Sequence, residues 1–62
     1  MIYIIVEDIY RITNLTQNVE IYNPKTKEFV YIGECSNIPL SCLDIPVSQV
    51  FTNDNILVII VK

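Results

Sequence analysis

Two cysteines, Cys35 and Cys42, and one adjacent acidic pair, Glu7-Asp8, are the residues of this 62-residue chain whose types could carry covalent or acid–base chemistry. A thiol attacks only as the thiolate, which a neighbouring base or cation must generate. The chain has no histidine, so no Ser–His, Cys–His or histidine–metal arrangement can form. Two thiols without further Cys or His do not make a zinc centre. Both cysteines therefore read as reduced, small apolar residues of the interior. A disulfide between them would close a short loop and restrain the unfolded chain little. Glu7 and Asp8 could share proton-transfer work, but they also stand where the first turn of a helix favours negative charge. The single glycine, Gly33, cannot build a phosphate-cradling loop, which needs several. It reads as a point of special backbone geometry at a strand end. A chain this short also has difficulty enclosing a cleft of roughly 300 Å³ or more. These residues point away from an enzyme, and no cofactor or metal is expected.

The remaining candidates are contact residues. Tyr22, Phe29 and Tyr31 alternate along two segments that read as one hairpin, with Lys25 and Lys27 in the turn between them. Aromatic side chains near cations can form a stacking platform for single-stranded nucleic acid. Against that, the chain has only four basic residues to seven acidic ones and a formal charge of −3, whereas phosphate-driven binding needs a basic excess. The acidic groups are scattered rather than blocked, which also weakens mimicry of nucleic acid. An aromatic face that contacts another protein is the reading that remains, because Tyr and Phe are favoured interface anchors.

The elements that must carry these residues follow from periodicity. Val19–Tyr22 and Glu28–Ile32 alternate with period two around Asn23-Pro24-Lys25-Thr26-Lys27, the pattern of a hairpin. A four-residue loop, Pro24 to Lys27, pairs Asn23 with Glu28, Tyr22 with Phe29, Ile21 with Val30, Glu20 with Tyr31 and Val19 with Ile32. One face then carries Val19, Ile21, Val30 and Ile32, and the other carries Glu20, Tyr22, Phe29 and Tyr31. A second hairpin runs from Val47–Thr52 through Asn53-Asp54-Asn55 to Ile56–Val61, since Asn and Asp tolerate the left-handed conformation of tight turns. The unbroken run Ile-Leu-Val-Ile-Ile-Val suits a strand in the centre of a sheet, covered on both faces. Between the hairpins, a helical turn near Pro39–Leu43 directs Leu40 and Leu43 inward at i, i+3 spacing. Met1–Val6 reads as a strand. A short helix over about residues 7–15 follows it, with one long bulged strand from Ile2 to Thr13 as the alternative.

The order of these segments resembles a known group. Val19-Glu20-Ile21-Tyr22, Gly33-Glu34-Cys35-Ser36-Asn37-Ile38-Pro39, Leu43-Asp44, Val47 and Ile56-Leu57-Val58-Ile59 together resemble short proteins carried by phages and mobile elements of Gram-positive bacteria. Asn37 stands where that group more often has Asp, and the two cysteines are particular to this chain. No catalytic or binding residue carries over. The resemblance implies a context: a small accessory protein of the bacterial cytoplasm that acts on a host or phage macromolecule.

The expected fold is thus one α+β domain, residues 1–62. It has a small antiparallel sheet of about five strands and one short helix, or, with the long first strand, an all-β small barrel. Half of the residues are hydrophobic (52%) and only 18% are charged, against the usual figure of about 25% charged. A single short helix covers only one face of a sheet, which leaves an apolar face in need of a partner. The expected function is that of a non-enzymatic protein-binding module, a phage-type modulator or inhibitor of a host protein such as a defence nuclease, working as a homodimer. A structural homo-oligomer subunit and a single-stranded nucleic-acid binder are the alternatives. The contact residues are Glu20, Tyr22, Phe29 and Tyr31. No signal peptide or membrane-spanning segment is read, so the chain is expected to be soluble and cytoplasmic.

Overall fold

A computed structural model describes residues 3–62. One helix, α1 (Val6–Ile12), precedes four strands, β1 (Asn18–Asn23), β2 (Glu28–Glu34), β3 (Val47–Asn53) and β4 (Ile56–Val61), with two single 3-10 turns, Cys35–Asn37 and Leu40–Cys42, between β2 and β3. The sheet has the order β2-β1-β4-β3. Its outer pairs are the two antiparallel hairpins, and its central pair, β1 with β4, is parallel. The fold is therefore α+β, but with four strands in a mixed sheet in place of about five in an antiparallel one. β2 and β3 remain at the edges, so the sheet does not close into a barrel.

The difference in strand number lies at the N-terminus. Tyr3 and Ile4 form no strand; Ile5 makes one isolated bridge to Pro46, and the chain turns at once into α1. Met1 and Ile2, the start of the expected strand, lie outside the described residues. The helix starts here because the Asp8 carboxylate accepts the backbone N–H of Ile5 at 2.9 Å, and Glu7 and Asp8 place negative charge on the first turn. The N–H groups of Val6 and Glu7, which have no partner inside the helix, donate to the carbonyls of Ile45 and Leu43 at 3.0 and 2.8 Å. Glu7 and Arg11 pair across one turn at 3.5 Å. The helix ends at Ile12, three residues before the expected limit, where the Thr13 hydroxyl donates back to the Ile9 carbonyl.

Both hairpins form, and the parallel seam welds them. In the second, Asp54 and Asn55 take φ of 50° and 64°, the pair of positive values that a two-residue type I′ turn requires. Asn53 therefore pairs with Ile56, and the turn is one residue shorter than expected. β4 is central, as its apolar run suggested. Parallel pairing sets Val19 beside Leu57 and Ile21 beside Ile59, which brings the inward sides of both hairpins together.

One face of the sheet carries the core. Val19, Ile21, Ile59 and Val61 meet Val6 from α1 and Cys35, Ile38 and Cys42 from the segment between the hairpins. Ile38 and Cys42 fill the place expected for Leu40, which is 84% exposed. A single turn does form at Leu40–Cys42, with Leu43 as its C-cap, and of its two leucines Leu43 alone packs against the core. Both thiols are buried and unbridged. Backbone bonds from Cys35 to the Gln17 carbonyl and from Ser36 to the Leu15 carbonyl, 2.8 and 3.0 Å long, hold this segment against the start of β1.

Candidate functional site

The register of the first hairpin decides which side chains share a face. Near the turn it follows expectation: Asn23 pairs with Glu28 and Tyr22 with Phe29. The loop is held by a 2.8 Å bond from the Lys27 N–H to the Asn23 carbonyl and by the Asn23 side chain accepting the Lys25 N–H at 2.9 Å. One residue further on, β2 bulges at Val30. Ile21 then pairs with Tyr31, Glu20 with Ile32, and Val19 with Gly33. An extra residue in one strand exchanges the faces of everything beyond it. Tyr31, expected beside Tyr22 and Phe29, turns to the covered side and packs against the core. Ile32, expected in the core, emerges on the open side, 62% exposed.

Gly33 explains why the exchange is tolerated. Its φ is 155°, a region that L side chains rarely adopt, and the Tyr31 ring leans over it. A Cβ built on Gly33 would lie 2.6 Å from the Tyr31 hydroxyl oxygen. That hydroxyl donates to the Glu34 carbonyl. Desolvation raises the Tyr31 phenol above its ordinary value, with the nearby negative charges of Glu34 and Cys35 adding to the effect. Burial likewise raises the Cys35 thiol. At neutral pH it is therefore a protonated packing group rather than a thiolate nucleophile. Among the described residues no group of three or more His, Cys, Asp or Glu side chains is placed to hold a metal ion.

The face opposite the core is the candidate site. Strand register aligns Ile32, Glu20, Val58 and Phe51 in one row across all four strands, and Phe29, Tyr22, Ile60 and Gln49 in the next. Nothing from α1 or the 3-10 turns covers it: those elements pack on the other side. Phe29 is 51% and Phe51 47% exposed. The rings of Tyr22 and Phe29 meet edge to face with centroids 5.1 Å apart, a contact worth about 0.5–1.5 kcal/mol beyond area burial. It holds both rings in fixed positions on the surface.

Glu20 sits in the middle of this apolar field. Beside it, Asn18, Glu20, Ile32 and Ile56 line a shallow groove of about 270 Å³. Glu20 is half-buried, and among the described residues its carboxylate has neither a cation nor a hydrogen-bond donor. Of the four expected contact residues the structure thus brings together Glu20, Tyr22 and Phe29 and removes Tyr31. Ile32, Val58, Ile60 and Phe51 join them. Those four were out of reach of sequence reasoning, because their membership depends on the bulge and on which edges of the two hairpins meet. No helix of the described residues is long and apolar enough to cross a membrane. Comparison with family models, curated proteins and solved structures returns no match to this chain.

Proposed function

We propose that the protein is a non-enzymatic contact module that works by laying its open sheet face on another protein. The observation that carries this reading is that uncovered face, with Ile32, Phe29 and Phe51 roughly half or more exposed in adjoining rows. Isolated exposed apolar residues are ordinary on protein surfaces, but a contiguous set framed by polar ones marks an interaction site. The resemblance to small proteins of phages and mobile elements supports the finer reading, a modulator or inhibitor of a host protein such as a defence nuclease. Single-stranded nucleic acid fits the face poorly, since it presents Glu20 and Glu34 and no cation, while Lys25 and Lys27 lie in the hairpin loop.

The test is affinity capture from a bacterial lysate with the wild type and with Phe51→Lys in parallel, the fold of both being checked by circular dichroism. A discrete protein retained by the wild type and lost by the variant is expected. Equal retention by both, or retention of nothing, overturns the reading.

A second reading, self-association, has its own observation. β3 is an edge strand of seven residues without a charge or a proline, and proteins ordinarily blunt free edges with one or the other. Antiparallel pairing of β3 with its copy centred on Val50 would give an eight-stranded sheet about a two-fold axis and leave the open face free. Light scattering should then show dimer in the wild type and monomer in Val50→Lys, where two cations face each other across the axis. A wild-type monomer at high micromolar concentration removes this reading alone.

A further inference from the structure

The charges around the open face specify what can cover it. Glu20 is the one carboxylate of the two central rows, flanked by Ile32 and Val58 on its own row. Among the described residues every basic side chain is elsewhere. Arg11 pairs with Glu7 on the helix, Lys25 and Lys27 are in the first hairpin loop, and the Lys62 ammonium lies 4.7 Å from the centre of the Tyr3 ring. A purely apolar partner would strip water from Glu20 and return nothing, the costly outcome for a charge in an interface. A second copy laid face to face is worse. It would bring the Glu20 and Glu34 carboxylates of both copies into one interface with no cation between them, at a net charge of −3 on each chain.

Resting on the reading of this face as a contact surface, we infer that its partner is a protein segment presenting one arginine or lysine among apolar side chains, the cation seated on Glu20. The groove beside Glu20 suits such a side chain. At about 270 Å³, with Asn18 and Glu20 of β1 between Ile32 of β2 and Ile56 of β4, it lies below the roughly 300–1,000 Å³ of small-molecule pockets. The methylenes of a long basic side chain lie along the isoleucines while its head reaches the carboxylate. Arginine adds two parallel N–H···O bonds that a carboxylate accepts in its own plane. The Asn18 side chain supplies a neutral hydrogen-bonding group beside the ion pair. The same arrangement rejects acidic partners, so the one carboxylate provides selectivity as well as attraction.

The test is selection of a randomised peptide library on the immobilised full chain, run in parallel on wild type, Glu20→Gln, Glu20→Lys and Phe51→Lys. Wild type should enrich peptides with a basic residue between apolar ones. The best of these should lose about tenfold or more in affinity for Glu20→Gln, the scale of one charge-assisted contact. Glu20→Lys should enrich acidic peptides instead. Among the described residues the Glu20 carboxylate makes no hydrogen bond or ion pair, so both variants should keep the wild-type circular dichroism spectrum and urea midpoint. Peptides that are lost on Phe51→Lys but carry no basic preference, or a preference unchanged in Glu20→Gln, overturn the assignment to Glu20 and leave the contact face standing. Failure of wild type to enrich any peptide that Phe51→Lys loses overturns the contact face itself, and this inference with it.

Discussion

Truncation of Ile32 to alanine separates the bulged hairpin from an unbroken one. In the bulged pairing Ile32 faces Glu20 and keeps 62% of its surface in water. Full burial of an isoleucine contributes roughly 1.5–3 kcal/mol, so with about two-fifths of it realised, and part of that kept by alanine, the loss stays under about 1 kcal/mol. In the unbroken pairing Ile32 would lie opposite Val19 in the core, and the same change would cost about 2–5 kcal/mol. A core of this size supplies about 3–5 kcal/mol in total, so the two cases differ by whether a folded state survives. The assay is urea unfolding followed by far-ultraviolet circular dichroism and tyrosine emission, since the chain has no tryptophan. With a urea slope of about 1 kcal/mol per molar, the Ile32→Ala midpoint should fall by less than about 1 M. Ile59→Ala, at a site 1% exposed, should remove most or all of the transition, at a cost of about 2–5 kcal/mol. An Ile32→Ala chain with no folded baseline would refute the bulge and the face assignment that follows from it.

Other outcomes follow from the same geometry. Gly33→Ala should destabilise by about 1–3 kcal/mol in urea, because an L residue is strained at that φ and its Cβ collides with the Tyr31 hydroxyl. The double variant Tyr31→Phe, Gly33→Ala should recover only part of the steric cost, because the ring Cζ, 3.0 Å from the added Cβ, remains. At the second turn, Asn55→Gly should be near neutral while Asn55→Val costs on the order of 1–3 kcal/mol, since Asn55 sits at φ 64° and a β-branched residue resists the left-handed region. The pH dependence has a definite sign. The Cys35 thiol and Tyr31 phenol are raised in the folded protein above ordinary values of 9.0 and 10.0, so the unfolded chain loses those protons first and folding favours the protonated groups. Their contribution is complete below about pH 9 and declines as pH rises through the folded values. The urea midpoint should therefore fall in alkali, and Cys35→Ala should delay the onset. A thiol reagent should label Cys35 and Cys42 only at the rate of unfolding, because both are buried.

Much of this architecture could be read from residue order where the determinants are local. Asn23-Pro24 and Asp54-Asn55 state their turns through backbone preference, and Glu7-Asp8 announce a helix start through charge. The errors share a cause: the deciding contact lies far away in sequence or leaves no trace in hydrophobic pattern. Tyr3-Ile4-Ile5 is apolar and short, and such a run does not distinguish a strand from the approach to a helix. The Val30 bulge leaves alternation intact on either side while exchanging Tyr31 and Ile32 between faces. The parallel contact of β1 and β4 could not be foreseen because two hairpins have several edges by which to join. The surplus of apolar surface was nevertheless visible in composition, and it reappears as the uncovered face. Glu20, Tyr22 and Phe29 were found because Glu20 and Tyr22 lie on β1, whose alternation the bulge does not interrupt, and Phe29 lies between the turn and the bulge on β2.

Each hairpin closes on itself, whereas the seam between β1 and β4 unites stretches at opposite ends of the chain, Val19 with Leu57 and Ile21 with Ile59. Hairpins form in roughly 1–10 μs, while a seam of this kind must wait for the intervening chain to be ordered. Until it zips, and again whenever it opens, Ile56–Val61 is bared: six consecutive apolar residues, five of them β-branched, with no charge or proline among them. Segments of that kind stack readily into cross-β aggregates. The central placement of β4 thus keeps both backbone edges of the stickiest segment paired, by β1 on one side and β3 on the other, and closed to strand addition. Thermal melting, which opens the seam without solvating what it exposes, should end in precipitate where urea unfolding remains reversible.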